Sequence, residues 1–188
     1  MKRSLRLLIL GPVTAVVALA GLLVAPAEAA KRPFCNQPWG SRAKQLGAFD
    51  PSQAQLRDVR SAPGPCYDRL VFELDGPVTS YVVQYVGQVT ADGSGAPVPL
   101  RGGAFLSVSF GGRTYNDSGR SVYAPRSPSE VVDVRGYQSF RQVALAGSFE
   151  SLTSFGVGVR ATLPFRVLVL PGPGTHNRIV LDVSHRWI

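Results

Sequence analysis

The chain has 188 residues, of which 45% are hydrophobic and 17% are charged, and its formal net charge is +8. This length suits one ordinary domain, and the composition excludes wholesale disorder, a helical bundle and a large multidomain enzyme. The 20 glycines and 15 prolines favour many short strands joined by tight turns. Composition alone does not define a function.

Residues 1–29 have the pattern of a secretory signal peptide. Three basic residues open the segment: Lys2, Arg3 and Arg6. Residues 7–24 form an apolar stretch, and Ala27 and Ala29 fit the small-x-small pattern for cleavage after Ala29. An uncleaved membrane anchor is the alternative, since this stretch is at the lower length limit for spanning a bilayer. The segment has no twin arginine, so we expect export by the general secretory route to the cell envelope or the medium.

Residues 30–54 are expected to form an irregular N-terminal arm, in which 41–46 could make a single helical turn. The chain has two cysteines, Cys35 and Cys66, and an even pair in an exported protein indicates a disulfide. Closing this loop should contribute about 3–4 kcal/mol. Two buried free thiols, or a metal site without the usual C-x-x-C spacing, are the alternatives. We also expect Trp39 to pack against the domain near this bond.

From residue 55 onward the alternation of apolar and polar residues indicates β-strands. Strands are predicted at Leu70–Leu74, Thr79–Val89, Leu106–Phe110, Gln142–Gly147, Thr153–Val159, Phe165–Leu170 and Arg178–Ser184. Residues 92–95 indicate a hairpin turn, and residues 111–130 a long surface loop with a short strand around Val122 and Tyr123. The prediction is an all-β fold, a β-sandwich of two short sheets over residues 55–188, with a disulfide-tied N-terminal arm.

Catalytic patterns are absent from the sequence. It contains neither a G-x-S-x-G nucleophile turn nor an H-E-x-x-H zinc helix. Asp182 and His185 are three residues apart on one predicted strand, so their side chains should point to opposite faces and not pair. His176 is interpreted as a surface-loop residue, and no pair stands out among six scattered acids: Glu73, Asp75, Glu130, Asp133, Glu150 and Asp182. No catalytic residue, metal or cofactor is predicted, and the protein is not expected to be an enzyme.

Arginines and aromatic residues interleave at three places in the sequence. They provide five candidate ligand-binding residues: Tyr67, Arg69, Tyr137, Arg141 and Arg186. Such side chains stack on sugar rings or pair with carboxylates and phosphates. The alternative is structural, with the aromatic rings under sheet edges and the arginines reaching solvent. Export disfavours nucleic acid as a partner despite the basic charge.

The run Cys66–Leu74 resembles the opening strand of the AMIN-like domain family, exported proteins of actinobacteria. The resemblance continues in order through further segments: 92–100, 144–150, 156–159, 164–167 and 179–185. The family is named for its similarity to the AMIN domain, a small β-sandwich that directs some peptidoglycan amidases and secretins to the cell envelope. The resemblance therefore implies a non-catalytic, envelope-binding or targeting module over about residues 55–187.

Taken together, these patterns predict an exported binding module whose ligand is peptidoglycan or another wall polymer. The alternative is a module that pairs with another exported protein through a sheet edge or the 111–130 loop. Membrane contact is expected only through the signal peptide before its cleavage, and the protein is expected to be a monomer.

Overall fold

A computed structural model describes residues 35–49 and 52–187, and every regular element within these residues is a β-strand. The strands are β1 (Lys44–Leu46), β2 (Gln55–Pro63), β3 (Tyr67–Asp75), β4 (Tyr81–Val86), β5 (Ala104–Gly111), β6 (Phe140–Phe149), β7 (Leu152–Val159), β8 (Phe165–Pro171) and β9 (His176–Ser184). The predicted signal peptide lies outside the described residues. No helix in the described part of the chain has the length and apolar character needed to cross a membrane.

The strands form two antiparallel sheets that pack face to face. One sheet has five strands in the order β1-β4-β5-β7-β6, and the other has four in the order β2-β3-β9-β8. Three fully buried rings join the layers: Phe72 of the four-stranded sheet lies 5.3 Å from Phe110 and 4.9 Å from Phe155 of the five-stranded sheet, centroid to centroid. The predicted all-β sandwich is therefore confirmed.

The alternation read in the sequence determines which side of each strand faces the core. On β3, Leu70, Phe72 and Leu74 have no exposed surface, and their partners on β9 include Leu181 and Ile179. A one-residue slip of this register would turn every one of these side chains to the opposite face, so burial fixes the pairing.

The strand predicted at Thr79–Val89 is shorter in the structure, because β4 ends at Val86. The following segment crosses the outer face of the five-stranded sheet, where Val89 is buried. Gly156 on β7 makes room for it: a Cβ there would lie 2.7 Å from Leu100 Cδ1 and 3.1 Å from Val89 Cγ1. The apolar character of Val89 thus reflects its packing on the outer face of the sheet, and this is why the predicted strand extended too far.

The N-terminal arm contains a strand where a helical turn was considered, and that suggestion is wrong. Residues Lys44–Leu46 pair antiparallel with β4, Lys44 opposite Val83 and Leu46 opposite Tyr81. Without β1, β4 would be an edge strand with unpaired backbone groups, so the extended conformation gains partners that a helical turn would not.

The disulfide between Cys35 and Cys66 is confirmed, with the two Cα atoms 5.3 Å apart. Cys66 directly precedes β3, so the bond fastens the arm to the four-stranded sheet, while β1 fastens it to the other sheet. The arm thus connects both layers of the sandwich.

The predicted surface loop 111–130 is ordered by its own hydrogen bonds. Tyr115 forms an isolated antiparallel bridge with Ser121, and the Val122 amide donates to the Thr114 carbonyl at 2.7 Å. The short strand expected around Val122 is therefore reduced to one bridge. Tyr123 is half-buried against the core, which anchors the loop to the sandwich.

Candidate functional site

The structure distributes the five candidate ligand-binding residues over three places. Tyr67 and Arg69 lie on β3, and Arg69 contacts the adjacent β9. Tyr137 and Arg141 line a groove beside the start of β6. Arg186 follows β9 and is exposed. The residues form two separate pairs and one isolated side chain, and not a single site.

The groove beside β6 has a volume of about 870 Å3. It is formed by the loop that precedes β6 and by the end of the segment that crosses the five-stranded sheet. Its lining includes four arginines, two acids and two aromatic residues: Arg101, Arg126, Arg135, Arg141, Glu130, Asp133, Tyr137 and Phe140. Its charged side chains thus carry more positive than negative charge.

Hydrogen bonds to β6, the edge strand, hold one wall of the groove in place. The Val131 amide donates to the Val143 carbonyl, and the Leu145 amide donates to the Pro128 carbonyl, both at 2.8 Å. The Gln142 side-chain amide donates to the Ser129 carbonyl at 2.9 Å. The loop therefore behaves like a short additional strand, which makes the groove a preformed feature.

The aromatic part of the groove is fixed from both sides. The Tyr137 ring is stacked on that of Phe140, with the centroids 6.2 Å apart, and Phe140 is fully buried. The Tyr137 hydroxyl lies 3.0 Å from the Ser61 hydroxyl on β2, within hydrogen-bond distance. Tyr137 is only half-buried, so it combines a fixed position with an accessible surface.

Arg141 has a different role from the one that its sequence context suggested. Its guanidinium donates to the carbonyl oxygens of Phe140 at 2.7 Å, Tyr137 at 3.0 Å and Gln138 at 3.3 Å. These bonds fold the turn that carries Tyr137. Arg141 therefore positions the aromatic ring, and three of its five N–H donors are already used.

The remaining cations of the groove differ in their availability. Arg101 pairs with Glu130 and also donates to the Arg141 carbonyl at 3.0 Å. Arg135 pairs with Asp133 at 2.5 Å, and its hydrogen bonds lower the pKa of Asp133 to about 2. Arg126 is exposed and has no hydrogen-bonding or ion-pair partner in the described chain, so it is the guanidinium most available to a bound anion.

Arg101, Arg126 and Arg135 also line the groove but were not among the residues predicted from the sequence. They lie in stretches without strand periodicity, and only the fold brings them beside Tyr137. The density of arginine between residues 120 and 141 was the available signal for Arg126 and Arg135, and the sequence offered none for Arg101.

The second pair of candidates belongs to a compact cluster on the outer face of the four-stranded sheet. Arg69, Asp182 and Arg166 lie in one row across β3, β9 and β8. Arg69 donates to both carboxylate oxygens of Asp182, at 2.7 and 2.9 Å, and Arg166 donates to one at 2.9 Å. The hydrogen bond to Asp182 raises the pKa of Arg69. The two guanidinium groups cover the carboxylate, so Asp182 has no exposed side-chain surface.

The same cluster holds the N-terminal arm. The Arg166 guanidinium lies 4.5 Å from the centroid of the Trp39 ring, and Trp39 meets Tyr67 edge-on at 5.5 Å. The expected packing of Trp39 near the disulfide is therefore confirmed. Tyr67 and Arg69 contact the chain's own side chains here, and their partial exposure leaves only part of each available to a ligand.

A buried polar pair, Asp68 and His185, closes one end of the core and was not predicted from the sequence. Asp68 has no exposed surface and accepts hydrogen bonds from the amides of Ser139 at 2.5 Å and Phe140 at 3.1 Å. Its second carboxylate oxygen lies 3.0 Å from Nε2 of His185. As expected, His185 does not pair with Asp182. Asp68 lies on the same core-facing side of β3 as Leu70 and Phe72. An acid at a core-facing position of a strand is the feature of the sequence that could have indicated a buried polar pair.

Asp68 also supports the groove, because the two amides that it binds lie where the turn carrying Tyr137 enters β6 at Phe140. Within the described residues, no group of three or more histidine, cysteine or acidic side chains could hold a metal ion. His176, the other histidine, is exposed at the start of β9.

A sandwich that presents a preformed groove with basic and aromatic side chains has the features of a binding module. Residues 54–185 match the model of the AMIN-like domain family, and the chain belongs to that family. A comparison with curated proteins found no match. AMIN-like domains are generally non-catalytic modules associated with the cell wall, and the disulfide is consistent with an oxidising, extracytoplasmic compartment.

Proposed function

We propose that this protein is an exported, non-catalytic module that binds peptidoglycan or another wall polymer through the groove beside β6. The observation that carries the proposal is that the fixed Tyr137 ring and the unpartnered guanidinium of Arg126 line the same groove. Membership of the AMIN-like family supports the association with the cell wall.

The groove contains the two contacts that a charged polysaccharide needs. A sugar ring can stack on Tyr137, and a carboxylate or phosphate of the polymer can pair with Arg126. Because Arg141 holds the turn that carries Tyr137 before binding, little conformational entropy is lost when a sugar ring stacks there. Arg101 and Arg135 keep their internal acid partners, so the net positive charge of the groove comes from Arg126 and Arg141.

The proposed domain organisation follows from export. Residues 1–29 act as the signal peptide of the general secretory route and are cleaved after Ala29. Residues 30–54 form the arm, and residues 55–188 form the wall-binding sandwich. Tyr67, Arg69 and Arg186 remain candidate ligand contacts outside the groove, of which Arg186 is the most exposed.

Cosedimentation of the exported protein with purified sacculi tests the proposal. At low salt the protein should pellet with the sacculi, and Arg126→Gln should weaken binding roughly tenfold or more, since a charge-assisted hydrogen bond is lost. Tyr137→Leu keeps most of the apolar volume but removes the aromatic face, so it should weaken binding as well. Arg42→Gln is the matched control, because Arg42 is also exposed and lies in the arm. A wild-type protein that stays wholly in the supernatant at low salt would overturn the proposal.

A further inference from the structure

Of the four edge strands of the sandwich, three have evident protection against pairing with another chain. β1 is only three residues long, and β6 is covered by the 128–131 loop. β2 has a register shift between Leu56 and Asp58 and carries Arg57, Arg60 and a terminal Pro63. Short length, covering loops, bulges, charges and prolines are the devices that keep sheet edges from associating.

β8 has none of these devices along its central part. Its residues Phe165–Leu170 are apolar except for Arg166, whose charge is already compensated by Asp182. Proline flanks this run on both sides, at positions 164 and 171. Val169 is 37% exposed. The strand therefore presents a short apolar edge of defined length.

The hydrogen bonds at its two ends show which backbone groups of β8 point away from the sheet. The Ser184 amide donates to the Pro164 carbonyl, and the Gly172 amide donates to the His176 carbonyl, both at 2.8 Å. In an antiparallel pair the direction alternates along the strand, so residues 166, 168 and 170 bond to β9. Phe165 points outward, and its amide donates to the Gly40 carbonyl of the arm at 2.9 Å.

Val167 and Val169 consequently direct their N–H and C=O groups away from β9, and these groups have no partner in the described chain. Four backbone hydrogen-bonding groups are thus available side by side on one edge.

We propose that the β8 strands of two copies of this chain pair antiparallel and join their four-stranded sheets into one continuous sheet. Leu168 is the middle residue of β8, and a two-fold axis through it places Val167 of one copy opposite Val169 of the other. All four free groups of each copy then form hydrogen bonds across the axis. In any other register centred within β8, at least one N–H or C=O group of Val167 or Val169 would lack a partner, or a proline would enter the middle of the ladder.

Side-chain chemistry favours a second copy as the occupant of this edge. The two-fold axis sets Arg166 opposite Leu170 of the other copy, so no like charges face each other across the new pair. The valines and leucines of the two strands meet as apolar cross-strand pairs, the arrangement that stabilises neighbouring strands. The apolar side chains of β8 pair best with another apolar strand, and β8 of a second copy is such a strand. A charged strand would find no partner for its charges here, because the charge of Arg166 is already compensated by Asp182.

This pairing departs from the monomer expected from the sequence and does not depend on the proposed polymer binding. If the polymer binding holds as well, a dimer brings two grooves to one wall, and the second contact becomes intramolecular. The contact is short, so we expect a reversible dimer and not an obligate one.

Sedimentation of the exported protein over a range of concentrations tests the pairing. The wild type should shift from monomer to dimer as its concentration rises, and Val169→Lys should remain monomeric with an unchanged melting temperature. Val82→Lys is the matched control, because Val82 is 38% exposed on the other sheet, and it should dimerise like the wild type. A wild type that stays monomeric at every concentration, or a Val169→Lys variant that dimerises as Val82→Lys does, would overturn the inference.

A crosslink provides a second measurement that does not depend on the valine variants. The two-fold axis brings the Leu168 positions of the two copies opposite each other in a non-hydrogen-bonded pair, with an expected Cα separation of about 4.5 Å. Leu168→Cys should therefore form a disulfide-linked dimer under mild oxidation, and Val82→Cys should not. Equal crosslinking of both variants would show that the contact is not through β8.

Discussion

Asp182 shows how a single buried charge is accommodated on the outer face of the four-stranded sheet. Its carboxylate accepts three hydrogen bonds from Arg69 and Arg166, and the aliphatic parts of these arginines lie over the sheet while their ends remain partly exposed. Long cationic side chains commonly cover apolar surface in this way. Val180, two residues earlier on the same face, is only 2% exposed. The arginines of this sheet therefore act as its outer cover.

Asp182→Asn should destabilise the protein, because an amide cannot accept the same bonds from two guanidinium groups. We expect a loss of about 2–3 kcal/mol, below the range for a fully buried pair, since both arginines can turn toward water. For a protein of this size that loss corresponds to a decrease in melting temperature of roughly 4–12 °C. Thermal unfolding followed by circular dichroism measures it.

Asp133→Asn is the control for that variant. Asp133 also pairs with an arginine, but both partners are largely exposed, and such pairs contribute little to stability. Its melting temperature should match that of the wild type. Equal changes in the two variants would contradict the role assigned to burial at Asp182.

The sequence allowed some of these residues to be identified, but not their arrangement. Tyr67 and Arg69 stood out because aromatic residues and arginines alternate there, and both do lie in an arginine–aromatic cluster. Arg166 and Asp182 complete that cluster from strands about 100 and 110 residues further along the chain. Local periodicity contains no information on which strands become neighbours, so the partners could not be predicted.

At the scale of elements, the N-terminal arm is held by several independent contacts in sequence order. The disulfide attaches Cys35 to the start of β3, Trp39 packs under Arg166, the Gly40 carbonyl accepts a hydrogen bond from Phe165, and β1 then pairs with β4. The arm was predicted to be irregular because three residues are too few for a periodic signal. β1 is extended because it pairs with β4, so this strand depends on a tertiary contact and not on its local sequence.

Replacing both cysteines by serine should loosen this arm without unfolding the sandwich. We expect a loss of about 3 kcal/mol from the additional freedom of the unfolded chain and a lower melting temperature. Limited trypsin digestion should show faster cleavage after Arg42, which is exposed, while a fragment containing residues 67–187 persists. The intact protein under the same digestion is the reference, and rapid degradation of the whole variant would contradict the independence of the sandwich.

At the scale of the whole molecule, the pairing of distant strands decides the architecture. The alternation in residues 70–74 and 178–184 predicted two strands, and the structure makes them adjacent, with Phe72 opposite Ile179. The prediction of a two-sheet sandwich followed from the number of strands and the lack of helical periodicity. The order of the strands within each sheet did not, because it depends on which apolar faces fit together.

The stability of the whole protein should decrease at alkaline pH because folding buries tyrosines. Burial raises the pKa of Tyr123 to about 12, against a usual value of 10.0. The unfolded chain therefore loses this proton first, so the contribution of the neutral ring is present below pH 10 and is lost as the pH rises toward 12. Tyr123→Phe should match the wild type at pH 7 and be more stable than the wild type between pH 10 and 12.

Urea unfolding at pH 7 and at several values above 10 measures this difference. Tyr85→Phe provides the contrast: the Tyr85 hydroxyl accepts from the Leu163 amide and donates to the Leu163 carbonyl, both at 2.8 Å. That variant should lose stability already at pH 7. If Tyr123→Phe follows the wild type across the whole range, burial of this hydroxyl is not the cause of the alkaline loss.

The attachment of both ends of the domain to one residue also determines how it can be joined to other proteins. Cys66 is bonded to Cys35, and its carbonyl accepts the amide of His185 at 3.0 Å, so the chain enters and leaves the sandwich beside the same point. Adjacent ends of this kind tolerate circular permutation and insertion into a host loop. Inserted in this way, the sandwich would be joined to its host by two neighbouring linkers that leave from one point of its surface.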